Sequence, residues 1–224
     1  MSASMRIQDI PKRPDPKLVA ELGRMVTPHL SDSMERLYAG GPQLRPMHGA
    51  GKLAGPAFTV KTAAGDNLLV HKALDMAKKG DVVVVDAGGF LDNAIIGELM
   101  MSRARQRGIA GIVIWGAIRD SAEIRAGSYP VFAAGVTHRG PYKNGPGEIN
   151  VPIMMGATPV NPGDIIVGDA DGLVAIPQDQ AERILKSAQA ILAKERAAMK
   201  EINAGTVDRG WVDKALLEKG YKLP

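Results

Sequence analysis

The sequence predicts an α/β protein whose sheet is at least partly parallel. Two short apolar runs, residues 82–85 and 111–115, have the composition of strands that are buried on both faces. Between and around them, apolar residues recur at the spacing of helices. Because strand, loop and helix repeat in this order, we expect parallel strands joined by right-handed crossovers.

The first predicted element is a helix that Asp15 caps and Pro16 opens, running to about residue 25. Asp32 and Glu35 have the spacing of a capping box, which predicts a second helix over 31–37. Strands are then predicted at 58–63, 82–85, 111–115, 131–134, 151–154 and 165–168, and helices at about 68–79, 94–107, from 121, 179–203 and 211–219. A tight turn at 169–172 predicts a hairpin.

The composition excludes several classes of protein. The 224 residues include no cysteine, which excludes disulfides, thiol nucleophiles and thiolate metal sites. Basic and acidic residues are interspersed and aromatic residues make up 4%, so we expect no nucleic-acid partner despite the net charge of +4. No apolar run is long enough to cross a bilayer, and the first residues lack the apolar block of a signal peptide. We expect a cytoplasmic protein of one domain, with a core at about 15–177 and a helical C-terminal extension at about 178–224.

Two loops follow the predicted buried strands, where open α/β sheets bind their ligands. One, residues 86–89, leads to a helix start at Gly97 and Glu98; the other ends in Arg119 and Asp120. A guanidinium suits a carboxylate, and acidic side chains suit a hard cation, so the group fits a divalent ion and a keto acid. Arg-Asp is also a common surface pair at a helix start, and the pattern alone leaves both interpretations open.

A second candidate pair is Asn67 and His71, which are four residues apart on one predicted helix face. They could point into the same cleft, or be a helix-start amide and a half-buried histidine. A Schiff base on Lys61 or Lys72 is an alternative chemistry, although neither is marked as desolvated. No sequence fits a dinucleotide fingerprint, a P-loop or an EF-hand.

Three segments together resemble the RraA-like family. They are GDNLLVHKALDMAKKGDVVVVDAGG at 65–89, GELMMSRARQRGIAGIVIWGAIRD at 97–120 and RGPYKNGPGEINVPIMMGATPVNPGDIIVGDADGLVAIP at 139–177. The family's catalytic branch contains class II 4-hydroxy-4-methyl-2-oxoglutarate/4-carboxy-4-hydroxy-2-oxoadipate aldolases. The resemblance spans about 53–177 and implies a swivelling β/β/α-type sandwich. It also implies a homotrimer or homohexamer with sites at subunit interfaces.

The resemblance also implies roles for particular residues. In the aldolase branch an acid, twenty residues and then Arg-Asp mark the site, which here gives Glu98 followed by Arg119 and Asp120. Asp120 would bind Mg²⁺ or Mn²⁺ together with Glu98, which stands where some members have Asp. Arg119 would bind the pyruvyl group. Glu195 of a neighbouring subunit would act near the metal-bound water.

The same resemblance implies a substrate-binding set around this centre. Backbone amides at the helix start would hold the substrate carboxylate, and two side chains of the preceding helix would line the pocket. The set comprises Gly97, Glu98, Leu99, Met100, Arg119, Asn67 and His71.

The expected function is therefore metal-dependent retro-aldol cleavage of 4-hydroxy-2-oxo-dicarboxylates, which releases pyruvate. The same enolate chemistry predicts a side activity as an oxaloacetate decarboxylase. The alternative is a non-enzymatic regulator of the RraA type that binds an RNA-degrading endonuclease. The acid and Arg-Asp pattern and the extension beyond Pro177 favour the enzyme.

Overall fold

A computed structural model describes residues 5–223 and confirms the α/β class. The helices are α1 (Pro16–Leu22), α2 (Thr27–Asp32), α3 (Leu68–Met76), α4 (Glu98–Gln106), α5 (Ser121–Ala126), α6 (Ala181–Ala204) and α7 (Gly210–Glu218), with a short 3-10 helix at Gln178–Gln180. The strands are β1 (Arg45–Pro46), β2 (Leu53–Thr62), β3 (Val82–Asp86), β4 (Ala94–Ile96), β5 (Gly111–Ile118), β6 (Val131–Val136), β7 (Gly147–Ile149), β8 (Ile153–Met155), β9 (Thr158–Val160), β10 (Ile165–Asp169) and β11 (Gly172–Ile176).

Nine strands of residues 5–223 form one mixed sheet. Its main path runs β1-β6-β5-β3-β2-β10-β11, with β4 beside β5 and β7 beside β2. β2, β3, β5 and β6 are parallel neighbours, as the sequence predicts. β10 runs antiparallel to both β2 and β11, and β8 pairs with β9 in a separate ribbon. The carboxyl ends of the parallel strands therefore share one edge of the sheet.

The continuous valine run of β3 is explained by burial on both faces. Val83 and Val85 belong to a core cluster that includes side chains of α3 and α4. Val82 and Val84 belong to a second cluster, which includes side chains of the β8–β9 ribbon. All four side chains are fully buried. Helices on one face and a ribbon on the other give the layered β/β/α sandwich that the resemblance implies.

The second helix lies earlier in the chain than its capping-box pattern predicts. It covers Thr27–Asp32, and Glu35 and Arg36 have φ values of 54° and 63°, which end any helical path. The start of α2 is capped by a residue far along the chain. Asp169 accepts hydrogen bonds from the backbone N–H and the hydroxyl of Thr27 at 2.8 and 2.7 Å. A cap supplied by the β10–β11 turn leaves no local sequence signal.

The helix predicted over 94–107 is also shorter than expected. Its first three residues form β4, which pairs with the end of β5, and Gly97 separates this strand from α4. Ala94 to Ile96 are almost completely buried, so pairing in the sheet overrides the helical periodicity. Helix α4 therefore begins at the same edge as the end of β5.

The chain divides into two compact units at Ala188. The second unit begins at Gln189 and contains the last part of α6 and all of α7. Its exposed apolar side chains include Met199, Ile202, Trp211 and Leu217. Across residues 5–223, no helix has the length and hydropathy needed to cross a membrane.

Candidate functional site

A pocket of about 270 Å³ lies where α3 and α4 begin beside the carboxyl end of β5. We call Gly97, Leu99, Met100, Arg119 and Asp120 its first wall, and Asn67, His71, Pro141 and Lys143 its second wall; Ile95 and Ile96 also line it. The pocket thus brings together Asp120 and the predicted substrate residues except Glu98, together with four residues that the sequence does not predict: Ile95, Ile96, Pro141 and Lys143. A ligand here meets two cationic side chains, one carboxylate and one buried amide.

Asp120 is the centre of the first wall. Its backbone is in the left-handed region, with φ 55° and ψ 41°, which is strained for a residue other than glycine. Asp120 stands at the start of α5, yet its side chain caps a different helix: Oδ2 accepts the backbone N–H of Glu98 at 2.9 Å. Gly97, the N-cap residue of α4, has no side chain to do this. The unusual backbone of Asp120 thus places a carboxylate at the start of α4.

Gly97 is required by this arrangement for steric reasons. A Cβ atom built on Gly97 would overlap Asp120 Oδ2 and would lie 3.0 Å from Arg119 Cγ. The neighbouring backbone is fixed as well, because Arg119 N–H donates to the Ile96 carbonyl at 3.0 Å. A side chain at position 97 would therefore displace the Asp120 carboxylate.

Arg119 and Asp120 remain accessible to a ligand. Their side chains are 45% and 40% exposed, and Arg119 Nε lies 3.9 Å from Asp120 Oδ2. A solvated pair at this distance contributes little to stability. The guanidinium and the second carboxylate oxygen can thus bind other groups.

Asn67 gives the second wall an unused acceptor. The residue is 2% exposed, and its Nδ2 donates to the Ile95 carbonyl at 2.9 Å and lies 3.3 Å from Met100 Sδ. These contacts fix the amide with its nitrogen toward the protein. Asn67 Oδ1 is buried and has no hydrogen-bond partner among residues 5–223. Since buried polar atoms are normally paired, this oxygen suits a ligand that donates a hydrogen bond.

His71 is held in its neutral form at this wall. Burial lowers its pKa below the ordinary value of 6.5, and the positive charges of Lys143 and Arg103 lower it further, against an opposing effect of Asp75. At neutral pH the imidazole can therefore accept a proton or a hydrogen bond. The ammonium of Lys143 is the complementary group, a charge that attracts an anion.

Lys143 and Pro141 had no recognisable signal in the sequence. They belong to a turn-rich segment that reaches the pocket through long-range pairing: Asn67 N–H donates to the Tyr142 carbonyl at 3.0 Å, and Tyr142 N–H donates to the Gly65 carbonyl at 2.8 Å. No local periodicity encodes such a pairing. Lys61 and Lys72, the lysines considered for imine chemistry, lie outside the residues that line the pocket.

The donor set fits a divalent cation that keeps much of its water. Within residues 5–223, no three His, Asp or Glu side chains are close enough to hold an ion by themselves. Mg²⁺ commonly uses one or two carboxylates, with waters and substrate oxygens as its other ligands. Asp120 supplies one such carboxylate. Glu98 is exposed and touches the site through its backbone N–H, so its carboxylate as a ligand stays a prediction.

Glu195 is an exposed residue of α6 in the second compact unit. Its role as an acid supplied by a neighbouring subunit stays a prediction.

The RraA-like family, described as Aldolase/RraA, matches residues 27–175, which include the sheet and both walls of the pocket. The chain belongs to the RraA-like family. A relative from Halalkalibacterium halodurans is 39% identical over 201 residues, which are 90% of this chain and 94% of the relative. That protein carries the provisional name 4-hydroxy-4-methyl-2-oxoglutarate aldolase.

Solved structures of RraA-like proteins have the same fold. Streptomyces coelicolor RraAS2, described as an unusual member of the RNase ES inhibitor RraA family, is 28% identical with a TM-score of 0.76; the match covers 84% of this chain and 98% of that one. The RNA-processing inhibitor RraA of Thermus thermophilus is 34% identical with a TM-score of 0.62, and the match covers 67% and 92%. This chain thus resembles, in sequence, a relative named as an aldolase and, in fold, solved structures whose names refer to inhibitors.

Proposed function

We propose that this RraA-like protein is a divalent-metal-dependent aldolase that cleaves 4-hydroxy-2-oxo-dicarboxylates and releases pyruvate. The observation that supports this most strongly is the pairing of Arg119 and Asp120 at the start of α4, in a pocket that Asn67 and Lys143 also line. The name of the Halalkalibacterium relative supports the same class of reaction.

Each group of the pocket matches one part of such a substrate. The 2-oxo-carboxylate would bind Arg119 and the backbone amides at Leu99 and Met100, where a helix start favours an anion. The distal carboxylate would bind Lys143. Asn67 Oδ1, the unpaired acceptor, would receive the hydrogen bond of the 4-hydroxyl group. A substrate without that hydroxyl would leave the oxygen buried and unpaired, at a cost of about 1–3 kcal/mol.

The reaction needs a base for the 4-hydroxyl proton and positive charge for the enolate. Removal of that proton forms the carbonyl at C4 as the C3–C4 bond breaks, and the electron pair passes to the pyruvate enolate. Mg²⁺ or Mn²⁺, held by Asp120 with Glu98 near it, would supply a Lewis acid for this charge. Arg119 would stabilise the same charge, through a kind of contact that contributes on the order of 3 kcal/mol. We propose that a water, helped by Glu195 of a neighbouring subunit in a trimer or hexamer, receives this proton, and that a proton returned to C3 of the enolate gives pyruvate.

One assay tests the reaction. Pyruvate release is measured from 4-hydroxy-4-methyl-2-oxoglutarate, 4-carboxy-4-hydroxy-2-oxoadipate and oxaloacetate, with added Mg²⁺ or with EDTA. We expect release from all three, with oxaloacetate as a decarboxylation side reaction, and we expect EDTA to abolish it and Mg²⁺ to restore it. Activity that survives EDTA but is lost when borohydride traps the substrate on a lysine would refute the metal mechanism and point to Lys143.

The second candidate function is inhibition of an RNA-degrading endonuclease, which the names of the two solved relatives favour. It predicts no turnover of the three substrates and stable binding to such an endonuclease. Adding the protein to an endonuclease assay in parallel with the pyruvate assay separates the two functions. Inhibition without turnover would replace the aldolase proposal.

A further inference from the structure

A buried carboxylate outside the pocket lining joins the two segments that form the second wall. Asp66, which follows β2, is 2% exposed. Its Oδ1 accepts the backbone N–H of Leu68 at 2.9 Å, at the start of α3. Its Oδ2 accepts the backbone N–H groups of Asn144 and Gly145 at 2.5 and 3.0 Å. One side chain therefore bonds two segments that are more than seventy residues apart.

The contacts explain why a charge is buried here. A buried carboxylate is costly unless donors compensate it, and hydrogen bonds to an ionised acceptor are stronger than neutral ones. Asp66 receives three such bonds, all from backbone groups that a change of neighbouring side chains would not remove. The Asp66 carboxylate thus fixes the backbone at the start of α3 and at residues 144–145.

The held backbone carries the side chains that line the second wall. Asn67 follows Asp66 directly, and Lys143 lies between Tyr142, which pairs with residues 65 and 67, and Asn144, which bonds Asp66. Fixing the backbone on both sides of Lys143 restricts where its ammonium can go. Without the Asp66 bonds, the two N–H groups after Lys143 would turn to water.

We propose that Asp66 is a positioning residue, which sets the distance between Lys143 and the first wall and so the fit of the distal substrate carboxylate. The inference rests on the proposed function for its substrate. Asp66 lies outside the lining residues and acts through Lys143 and Asn67. The affinity of a ligand that contacts only the first wall should therefore not depend on Asp66.

Asp66→Asn tests this, since it keeps the shape but removes the charge and replaces one of the two acceptor oxygens with an NH₂ group, which faces an N–H donor in either orientation of the amide. We expect the KM for 4-hydroxy-4-methyl-2-oxoglutarate to rise at least about tenfold, while inhibition by pyruvate stays within about twofold of wild type. Asp169→Asn is the matched control: Asp169 is also buried and accepts three hydrogen bonds, from Thr27 and Asp171. We expect it to leave both constants within about twofold.

Amide hydrogen exchange provides a readout independent of turnover. In Asp66→Asn, exchange should become faster over 141–147 and at the start of α3, and stay unchanged over 97–120. Equal losses of pyruvate and substrate binding, or an unchanged KM, would overturn the proposal. If the wild-type protein has no turnover, the proposed function fails and exchange alone decides: unchanged protection of 141–147 would also refute the role of Asp66. Should Asp66→Asn not fold, Asp66→Ser, which keeps one acceptor, is tested against the same outcomes.

Discussion

The two walls of the pocket are built differently. The first wall comes from the end of β5 and the start of α4, which meet through the pairing of β4 with β5 and through the bond from Glu98 N–H to Asp120. The second wall joins the start of α3 to a loop more than seventy residues later, through the bonds of Asp66 and Tyr142. The first wall, made within residues 97–120, leaves no room for a side chain at position 97 unless the Asp120 carboxylate moves. The second wall instead depends on a buried carboxylate that joins distant segments.

This difference predicts that the first wall is the more sensitive to a single methyl group. Gly97→Ala should reduce kcat/KM by about two to three orders of magnitude, or roughly 3–4 kcal/mol, because the new Cβ displaces the Asp120 carboxylate. Folding should be little affected, because Gly97 has an extended backbone that alanine can adopt. Steady-state kinetics and thermal unfolding measure the two effects.

Gly127→Ala is the control for that substitution. Gly127 follows α5 at a φ of −101°, and an added Cβ would lie 3.7 Å from the Ile124 carbonyl oxygen, an ordinary contact. Its kcat/KM should stay close to that of wild type. If Gly97→Ala behaves as Gly127→Ala does, the tight packing around Asp120 does not matter for catalysis.

A smaller loss is expected when the charge of the first wall is kept but its geometry is changed. Arg119→Lys replaces a planar fork with a point charge, so kcat/KM should fall by about one to two orders of magnitude. Inhibition by pyruvate should weaken too, since pyruvate would use the same fork. Near wild-type values for both constants would show that Arg119 is a surface residue and that this wall is assigned wrongly.

The smallest effect concerns the electrostatics of the second wall. NMR titration should give His71 a pKa below 6.5, and Lys143→Met should raise that pKa, because burial and then the Lys143 charge lower it. The His71→Gln variant assigns the resonance. Because the folded-state pKa is depressed, the contribution of His71 to stability is present above pH 6.5 and is lost as the pH falls. A His71 pKa above 6.5, or one that does not change in Lys143→Met, would show that the Lys143 charge does not act on His71 and that the second wall is assigned wrongly.

The same contrast explains what the sequence could reveal. The valine run of β3, the Asp15 cap and the Arg119-Asp120 loop follow from local patterns, and the structure has them where they are predicted. Lys143 in the pocket and the α2 cap from Asp169 depend on partners far along the chain, which no local periodicity encodes. Asn67 and His71 were found as a pair, but the unpaired oxygen of Asn67 depends on its contact with Ile95.

The most direct test of the proposed aldolase is Asp120→Asn. The amide keeps an oxygen that can accept the Glu98 N–H bond, so α4 and the fold should be retained, while the charge that would bind the metal is lost. Pyruvate release from 4-hydroxy-4-methyl-2-oxoglutarate is measured at saturating Mg²⁺, with thermal unfolding as a check on folding. We expect kcat to fall by at least about two orders of magnitude with little change in Tm. Turnover close to wild type in a folded Asp120→Asn protein would refute Asp120 as the metal-binding carboxylate of an aldolase.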